Sequence, residues 1–424
     1  MKKIIQNILK SRLRAYSKKI LDKYHPDIIG ITGSVGKTST KEAVFLVLSS
    51  EYNVRKNIKN YNNEIGLPLT IIGSESGGKS VSHWLKIFSA AKKIIVENRE
   101  YPEVLVLEMG ADHPGDISYL TKFIKCKVGI ITTVGRAHLE FFQTINNIAK
   151  EKGRLAESVG IGGYVILNAD DERVYAMKGK TKAKVITCGF SASADLQAME
   201  VRVGNGNGYG LSFKLKYKNS IIPISLPNVL GEHFIYSVLF AMAVGIIYDI
   251  PLITIANILK NFVSPAGRMK ILDGIKNTKI IDDTYNSSLQ STDAALKALH
   301  SVPGKKKYAV LGDMLEIGAE SEKDHRKAGK LVKEYGCNIL ITVGESARDI
   351  ARGAEAAGMG KDYIFSFGSA EEAGKFLQDR IQEGDMVLVK GSQGVRMEKI
   401  VKEIMADPMR AKELLVRQGE EWMK

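Results

Sequence analysis

A chain of 424 residues, 44% hydrophobic and 25% charged, is long enough for two or three domains with proper cores. Three widely spaced cysteines, Cys126, Cys188 and Cys337, exclude a disulfide framework, and no apolar run reaches the ~20 residues of a membrane span. A reducing cytoplasm is the expected compartment. The formal net charge of +14 suits polyanionic ligands such as ATP. No aromatic-interleaved basic motif or helix-turn-helix signature is present, which ranks nucleic acid low.

Residues 1–26 hold eight basic residues against one acid, Asp22. Ile5, Leu9, Leu13, Tyr16, Ile20 and Tyr24 recur at three- and four-residue spacing, which predicts an amphipathic basic helix. Packing on its own domain is favoured for this helix over an anionic membrane surface or a partner. Next, Ile28-Ile29 lead into Gly30-Ile31-Thr32-Gly33-Ser34-Val35-Gly36-Lys37-Thr38-Ser39-Thr40, followed by an apolar helix. A strand, a glycine turn and a helix start form an anion cradle, with backbone N–H groups and the helix N-terminus aimed at phosphate. Lys37 is placed for the outer phosphates and the Thr38 hydroxyl for Mg²⁺. The pattern is a variant, because Ile31 stands where the strict motif has glycine.

An amide-rich loop carries Asn60, Asn62 and Asn63 before an apolar helix start. The strand 103–108 ends in Glu108, as where a second strand delivers an acid to the metal of a phosphate cradle. A strand at 127–134 precedes His138, and a helix over 144–158 carries Lys152. These elements end near one edge of a parallel sheet, where open α/β folds bind ligands. After a strand at 164–168, residues 197–230 alternate around a glycine–asparagine run and predict an antiparallel hairpin. Helices follow at 231–249 and 252–262, and Ser264-Pro265-Ala266-Gly267 marks a boundary. Beyond it, strands at 278–283, 307–312, 338–343 and 386–390 alternate with helices. The charged tail 408–424 is expected to be helical.

The motifs T-G-S-V-G-K-T-S-T-K, N-Y-N-N-E-I-G-L-P, L-E-M-G-A-D-H-P-G-D-I, T-T-V-G-R-A-H-L-E and A-K-E-K-G stand in the order found in the Mur ligase family. L-N-A-D-D, A-G-R-M, I-D-D-T-Y-N, L-G-D-M-L-E-I-G and L-V-K-G-S-Q-G-V-R-M-E continue that order. The chain resembles this family from about residue 27 onward, and most closely its D-alanyl-D-alanine-adding branch. The resemblance implies an α/β chain: a P-loop central ATPase domain (27–264), whose parallel sheet has a small antiparallel part, then a Rossmann-like C-terminal domain (265–424). It implies a carboxylate–amine ligase that uses ATP through an acyl phosphate, building a muramoyl-peptide precursor of peptidoglycan.

By the same resemblance, Gly33, Ser34, Val35, Gly36, Lys37, Thr38 and Ser39 hold ATP, helped by Arg268, Asp283, Tyr285 and Asn286. One Mg²⁺ falls to Thr38 and Glu108, and a second to Glu108, His138 and a carbamylated Lys152. Lys37, Glu108, His138, Lys152 and Asp283 carry the chemistry. Asn60, Asn62 and Asn63 meet the carboxylate substrate, and Lys390, Ser392 and Arg396 face the incoming amine. The chain departs from the branch in several places. One helix stands where the branch carries a UDP-holding domain, Phe234 and Ser237 replace two adenine-side amides, Ser288-Leu289 replaces Asn-Pro, and Gln393 replaces an arginine. Two other readings therefore stand beside the first: a ligase for an acceptor without UDP, and a nucleotide-binding partner subunit without turnover.

Overall fold

The computed structural model describes every residue except 1, 59–60, 136–138, 206–208, 420–421 and 423–424. A nine-stranded sheet is built from β1 (Asp27–Thr32), β2 (Val54–Lys56), β3 (Val104–Glu108), β4 (Val128–Ile131), β5 (Tyr164–Asn168), β6 (Lys184–Gly189), β7 (Leu196–Asn205), β8 (Tyr209–Tyr217) and β9 (Ser220–Leu226). Their spatial order is β2-β3-β1-β4-β5-β6-β7-β8-β9. From β2 through β7 the pairings are parallel. Only two residues join β8 to its neighbour β9. Such a connection can serve only an antiparallel pair, so the expected antiparallel part is present.

β1, β3 and β4 are continuous apolar runs because helices cover both faces of the sheet. In register, Ile31 lies opposite Glu108 on one side and Ile130 on the other. The chain turns to β3 on one side of β1 and to β4 on the other, making a switch point at the carboxyl end of β1. That is where the cradle sits.

The helices of this part are α1 (Lys2–Tyr24), α2 (Lys37–Leu48), α3 (Gly66–Ile72), α4 (Val81–Val96), α5 (Asp116–Thr121), α6 (Leu139–Phe142), α7 (Ile145–Ser158), α8 (Glu172–Tyr175), α9 (Phe234–Ile247) and α10 (Leu252–Leu259). The basic α1 packs on its own domain, as favoured. Leu13, Ser17, Ile20 and Leu21 are buried in the core that holds α3, α4 and β3. Tyr16 stacks on Phe88, Lys10 pairs with Glu64 at 2.6 Å, and Lys23 donates to the carbonyls of Ile94 and Ile95.

Beyond residue 260 a second sheet contains β10 (Lys270–Asp273), β11 (Lys279–Asp283), β12 (Lys307–Gly312), β13 (Ile339–Val343), β14 (Ile364–Phe367) and β15 (Met386–Lys390), in the order β10-β11-β15-β12-β13-β14. β10 is antiparallel and the rest are parallel. By contact density the chain divides into two units. One holds 1–200, 213–224 and 234–259, and the other holds 201–212, 225–233 and 260–424.

Two expectations need correction. The tail is not one helix: it has a turn at Pro408–Arg410 and four helical residues at Ala411–Leu414, and 415–419 are irregular. Tertiary contacts win there, since Arg417 gives its guanidinium to Glu398 at 2.9 Å and to the Tyr285 carbonyl at 3.1 Å. The helix foreseen at 252–262 stops at Leu259. Among the described residues no helix is long and apolar enough to cross a membrane.

If α1 is part of the core, Leu13→Ala or Ile20→Ala should destabilise the protein by about 2–5 kcal/mol. Thermal unfolding of each variant checks this, with a clearly lowered midpoint expected. An unchanged midpoint would mean that α1 does not contribute to the fold.

Candidate active site

The turn after β1 is fastened to the strand beside it. The Ser34 N–H donates to the Thr133 carbonyl at 2.9 Å, the Val35 N–H to Thr133 Oγ1 at 3.0 Å, and Thr132 Oγ1 to the Val35 carbonyl at 2.5 Å. Gly36 has φ 87°, a left-handed backbone that favours glycine, and it directly precedes α2. A Cβ on Gly33 would lie 1.8 Å from Thr132 Oγ1, so no side chain fits where the loop crosses β4. Lys37 Nζ folds back on its own loop, donating to the Gly33 carbonyl at 2.8 Å and reaching Ser34 O at 3.5 Å. An anion at the helix start can exchange for these carbonyls without moving the backbone.

Glu108 closes the other side. Its Oε2 accepts from Thr38 Oγ1 at 2.9 Å, and its Oε1 accepts from Asn62 Nδ2 at 3.2 Å. The Glu108 N–H is held by Asn57 Oδ1 at 2.8 Å. Lys41 Nζ lies 3.8 Å from Oε2 and donates to the Asn57 carbonyl at 2.9 Å. Two hard oxygen donors, Thr38 Oγ1 and Glu108 Oε2, thus meet beside the phosphate cradle, the donor type Mg²⁺ selects. Among the described residues no group of three His, Cys, Asp or Glu side chains forms a metal site.

Lys152 sits on α7 with 4% of its surface exposed. Burial and the nearby Lys37 charge push its ammonium down to about 7, opposed by Asp112 and Glu151. Among the described residues its Nζ makes no hydrogen bond or ion pair. Glu151, its neighbour in sequence, instead accepts from the N–H groups of Gly115, Ile117 and Ser118 and so anchors the start of α5. His138 and Asn60, both expected at the site, lie outside the described residues. Asn63 Oδ1 accepts from the N–H groups of Ile65 and Gly66 at the start of α3.

In the second unit, Lys390 Nζ donates to Asp283 Oδ2 at 2.7 Å and to the Asn286 carbonyl at 2.9 Å, and both charged side chains are buried. Arg268 lies over the Tyr285 ring at 4.1 Å. Asp283 and Arg268 also act on His233, whose imidazole burial pushes down to about 4. The structure therefore gathers Arg268, Asp283, Tyr285, Asn286 and Lys390 together. Ser392 and Arg396 are engaged elsewhere: Ser392 Oγ accepts from the Leu315 N–H at 2.8 Å, and Arg396 pairs with Glu398 at 2.6 Å.

Lys41, Asn57 and His233 were not foreseen as site residues. For Lys41 a signal existed, a second cation one turn after Lys37 on the same helix. Phe234 and Ser237, which replace expected amides, are buried, and Ser237 Oγ accepts from Thr40 Oγ1 at 3.2 Å. Both have become core.

The Mur ligase middle domain matches residues 31–81 and 89–245, and the Mur ligase glutamate ligase domain matches 267–393. A UDP-N-acetylmuramoyl-tripeptide–D-alanyl-D-alanine ligase from Bacillus subtilis (strain 168) is 28% identical over 401 residues, covering 94% of this chain and 80% of that protein. The enzyme of the same name from Mycobacterium leprae (strain TN) is 30% identical over 405 residues, covering 90% and 74%. In fold, the chain is similar to MurF from Acinetobacter baumannii, with TM-score 0.75 and 24% identity over 94% of this chain and 80% of that one. MurF ligase from Thermotoga maritima in complex with ADP also has TM-score 0.75 and 24% identity, covering 93% and 83%.

Gly33→Ala should weaken ATP binding by more than about tenfold, since the added methyl must displace Thr132 and with it the loop. Titration with a fluorescent ATP analogue measures this. Affinity within a factor of two of the parent would show that the loop geometry is not what holds nucleotide.

Proposed function

The chain belongs to the Mur ligase family, and we propose that it is an ATP-dependent ligase joining the carboxylate of a muramoyl-peptide precursor to an amine, with D-alanyl-D-alanine the first candidate. The observation that carries this reading is the meeting of Lys37, Thr38 and Glu108 at one strand edge, with a buried lysine beside them. The cradle N–H groups and Lys37 bind the triphosphate. Thr38 and Glu108 would hold Mg²⁺, which offsets the negative charge of phosphate and carboxylate as they approach.

Asn62 and Lys41 fix the Glu108 carboxylate so that it does not reorganise when substrate arrives. In the reaction a substrate carboxylate oxygen bonds to the γ-phosphorus as the bond to ADP breaks. The amine nitrogen then bonds to the acyl carbon, phosphate leaves, and the amine gives up a proton. Arg268, Asp283, Tyr285 and Asn286 are assigned to the nucleotide by the family resemblance. Lys390, paired with Asp283, is assigned to holding that carboxylate in place. Asn62 is assigned to the acceptor side, together with Asn60 and Asn63.

Assayed with ATP, Mg²⁺, D-alanyl-D-alanine and a panel of muramoyl-peptides with and without UDP, the chain should release phosphate and yield the amide product by mass. The acceptor that works distinguishes the UDP-linked reading from one without UDP. No turnover with any acceptor, alongside tight ATP binding, would favour a partner subunit.

Lys152 is proposed to be carbamylated. Its neutral amine bonds to CO₂ and releases one proton, leaving a carboxylate that offers oxygen to a metal where an ammonium cannot. Its burial, with no hydrogen bond or ion pair to its amine among the described residues, supports this, and its lowered affinity for protons keeps the amine neutral above about pH 7. With ¹³C-bicarbonate, a carbamate resonance should appear in the parent and be absent in Lys152→Ala. The resonance should fade as pH falls below about 7, where the amine takes up its proton. Identical spectra for parent and variant would remove the assignment.

A further inference from the structure

The net charge of this chain is not spread over it. α1 and α4 carry eleven cations and one acid, a net +10 of the chain's +14 on two neighbouring helices. The helices lie side by side and run in the same direction. Arg12 and Tyr16 meet Phe88, while Lys23 and Tyr24 reach the Ile94 carbonyl. Two exposed stripes therefore flank the seam. On α1, Ile8, Arg12, Ala15 and Lys19 follow helical spacing, and on α4 so do Val81, Leu85, Lys92 and Val96.

These stripes mix cations with aliphatic side chains that the fold leaves in water. Ile8 is 52% exposed, Leu85 61%, Val96 72% and Val81 74%. The cations are not neutralised internally either. Among the described residues, Lys18, Lys19, Lys86, Lys92 and Lys93 make no hydrogen bond or ion pair, whereas Lys10 and Lys23 are used within the fold. Neither feature serves the phosphate cradle, which has its own lysines at Lys37 and Lys41.

We infer that the joint outer face of α1 and α4 docks on an anionic lipid bilayer. Cations alone would suit any polyanion, so the aliphatic residues decide between partners. A bilayer takes up isolated leucine and valine side chains among its acyl chains while its headgroups meet the lysines. A single-stranded nucleic acid needs exposed rings for its bases. Here Tyr16 and Phe88 stack on each other at 5.7 Å, and the Trp84 indole donates to the Gly78 carbonyl. The contact is peripheral, because no described helix can span a membrane. It would hold the protein beside acceptors that are themselves lipid-linked or about to become so, which rests on the ligase reading; the docking does not.

The test is cosedimentation of the full chain with vesicles of phosphatidylcholine alone and with phosphatidylglycerol added, at low and high salt. Single-stranded RNA serves as a second polyanion. Binding should require phosphatidylglycerol and fall with salt. Lys19→Glu combined with Lys92→Glu should weaken it by more than about tenfold. Leu85→Asp should also weaken it, with ATP affinity and melting temperature unchanged in both variants. Equal binding to uncharged vesicles, or binding that ignores both variants, would overturn the proposal. So would RNA binding without vesicle binding, which would assign the face to nucleic acid. Because ATP affinity is read separately, a failed ligase assay leaves this result interpretable.

Discussion

Glu108 is the constraint on which the first unit depends. A carboxylate at the end of a fully buried strand stays ionised only if its oxygens and its surroundings are satisfied. Here Thr38 and Asn62 each take one oxygen, Lys41 approaches to 3.8 Å, and Asn57 ties down the strand beside it. Each partner comes from a different segment: Thr38 and Lys41 from α2, Asn57 from after β2, and Asn62 from the amide loop. Fixing one carboxylate thereby fixes where the helix start, the loop and two strands meet. The parallel register does the rest, since it sets Ile31, Glu108 and Ile130 side by side and leaves their following residues at one edge.

Three buried lysines show how differently the same residue can be used. Lys41 has the Asn57 carbonyl and Glu108, and Lys390 has Asp283 and the Asn286 carbonyl. Removing one member of such a buried pair costs about 3–5 kcal/mol, because the other charge is stranded. Both lysines are thus bound into the architecture. Lys152 is equally buried, yet among the described residues its amine has no hydrogen bond or ion pair, and Lys37 repels its charge. A lysine in that state is poorly explained by stability. Asp112 and Glu151 offset that burial only in part, and a buried group so perturbed is where function is sought before stability.

Much of the fold was legible because its strands are apolar runs bounded by glycine or charged residues. β1, β3, β4, β5, β11, β12, β13 and β15 all fall where the sequence places them. β2, β6, β10 and β14 were not foreseen. β2, β10 and β14 have three or four residues and lie at a sheet edge, where one-sided pairing removes the need for a continuous apolar run. β6 is interior, but its run Lys184–Gly189 is short and interrupted by Thr187 and Cys188. At the site, the sequence puts Lys37 and Thr38 at the cradle turn and Glu108 at a strand end, and the fold brings Thr38 and Glu108 together. Asn63, which the resemblance places beside the substrate, also uses its Oδ1 at the start of a helix, a use that asparagine in a loop always leaves open. His233 stayed hidden because three of the four charged groups acting on it, Arg268, Asp283 and Lys390, come from distant stretches of the sequence.

The adjacent acids Asp282 and Asp283 show what only the strand can decide. Successive side chains on β11 point to opposite faces. Asp282, fully buried, accepts from the Gly267 N–H at 3.0 Å, from the Thr284 N–H at 3.2 Å and from Thr284 Oγ1 at 2.6 Å. Burial raises its proton affinity to about 6 in spite of those bonds. It fastens the segment that carries Arg268 to the strand that carries Asp283. Asp283 lies opposite Lys390 in the parallel ladder, and the two side chains meet on the other face. One acid thus positions the loop and its neighbour holds the buried cation, a division that the letters I-D-D alone leave undetermined. The left-handed turn at Gly267, whose N–H Asp282 holds, depends on the first acid. The contact between Arg268 and Tyr285 therefore depends on Asp282, which holds the backbone just before Arg268.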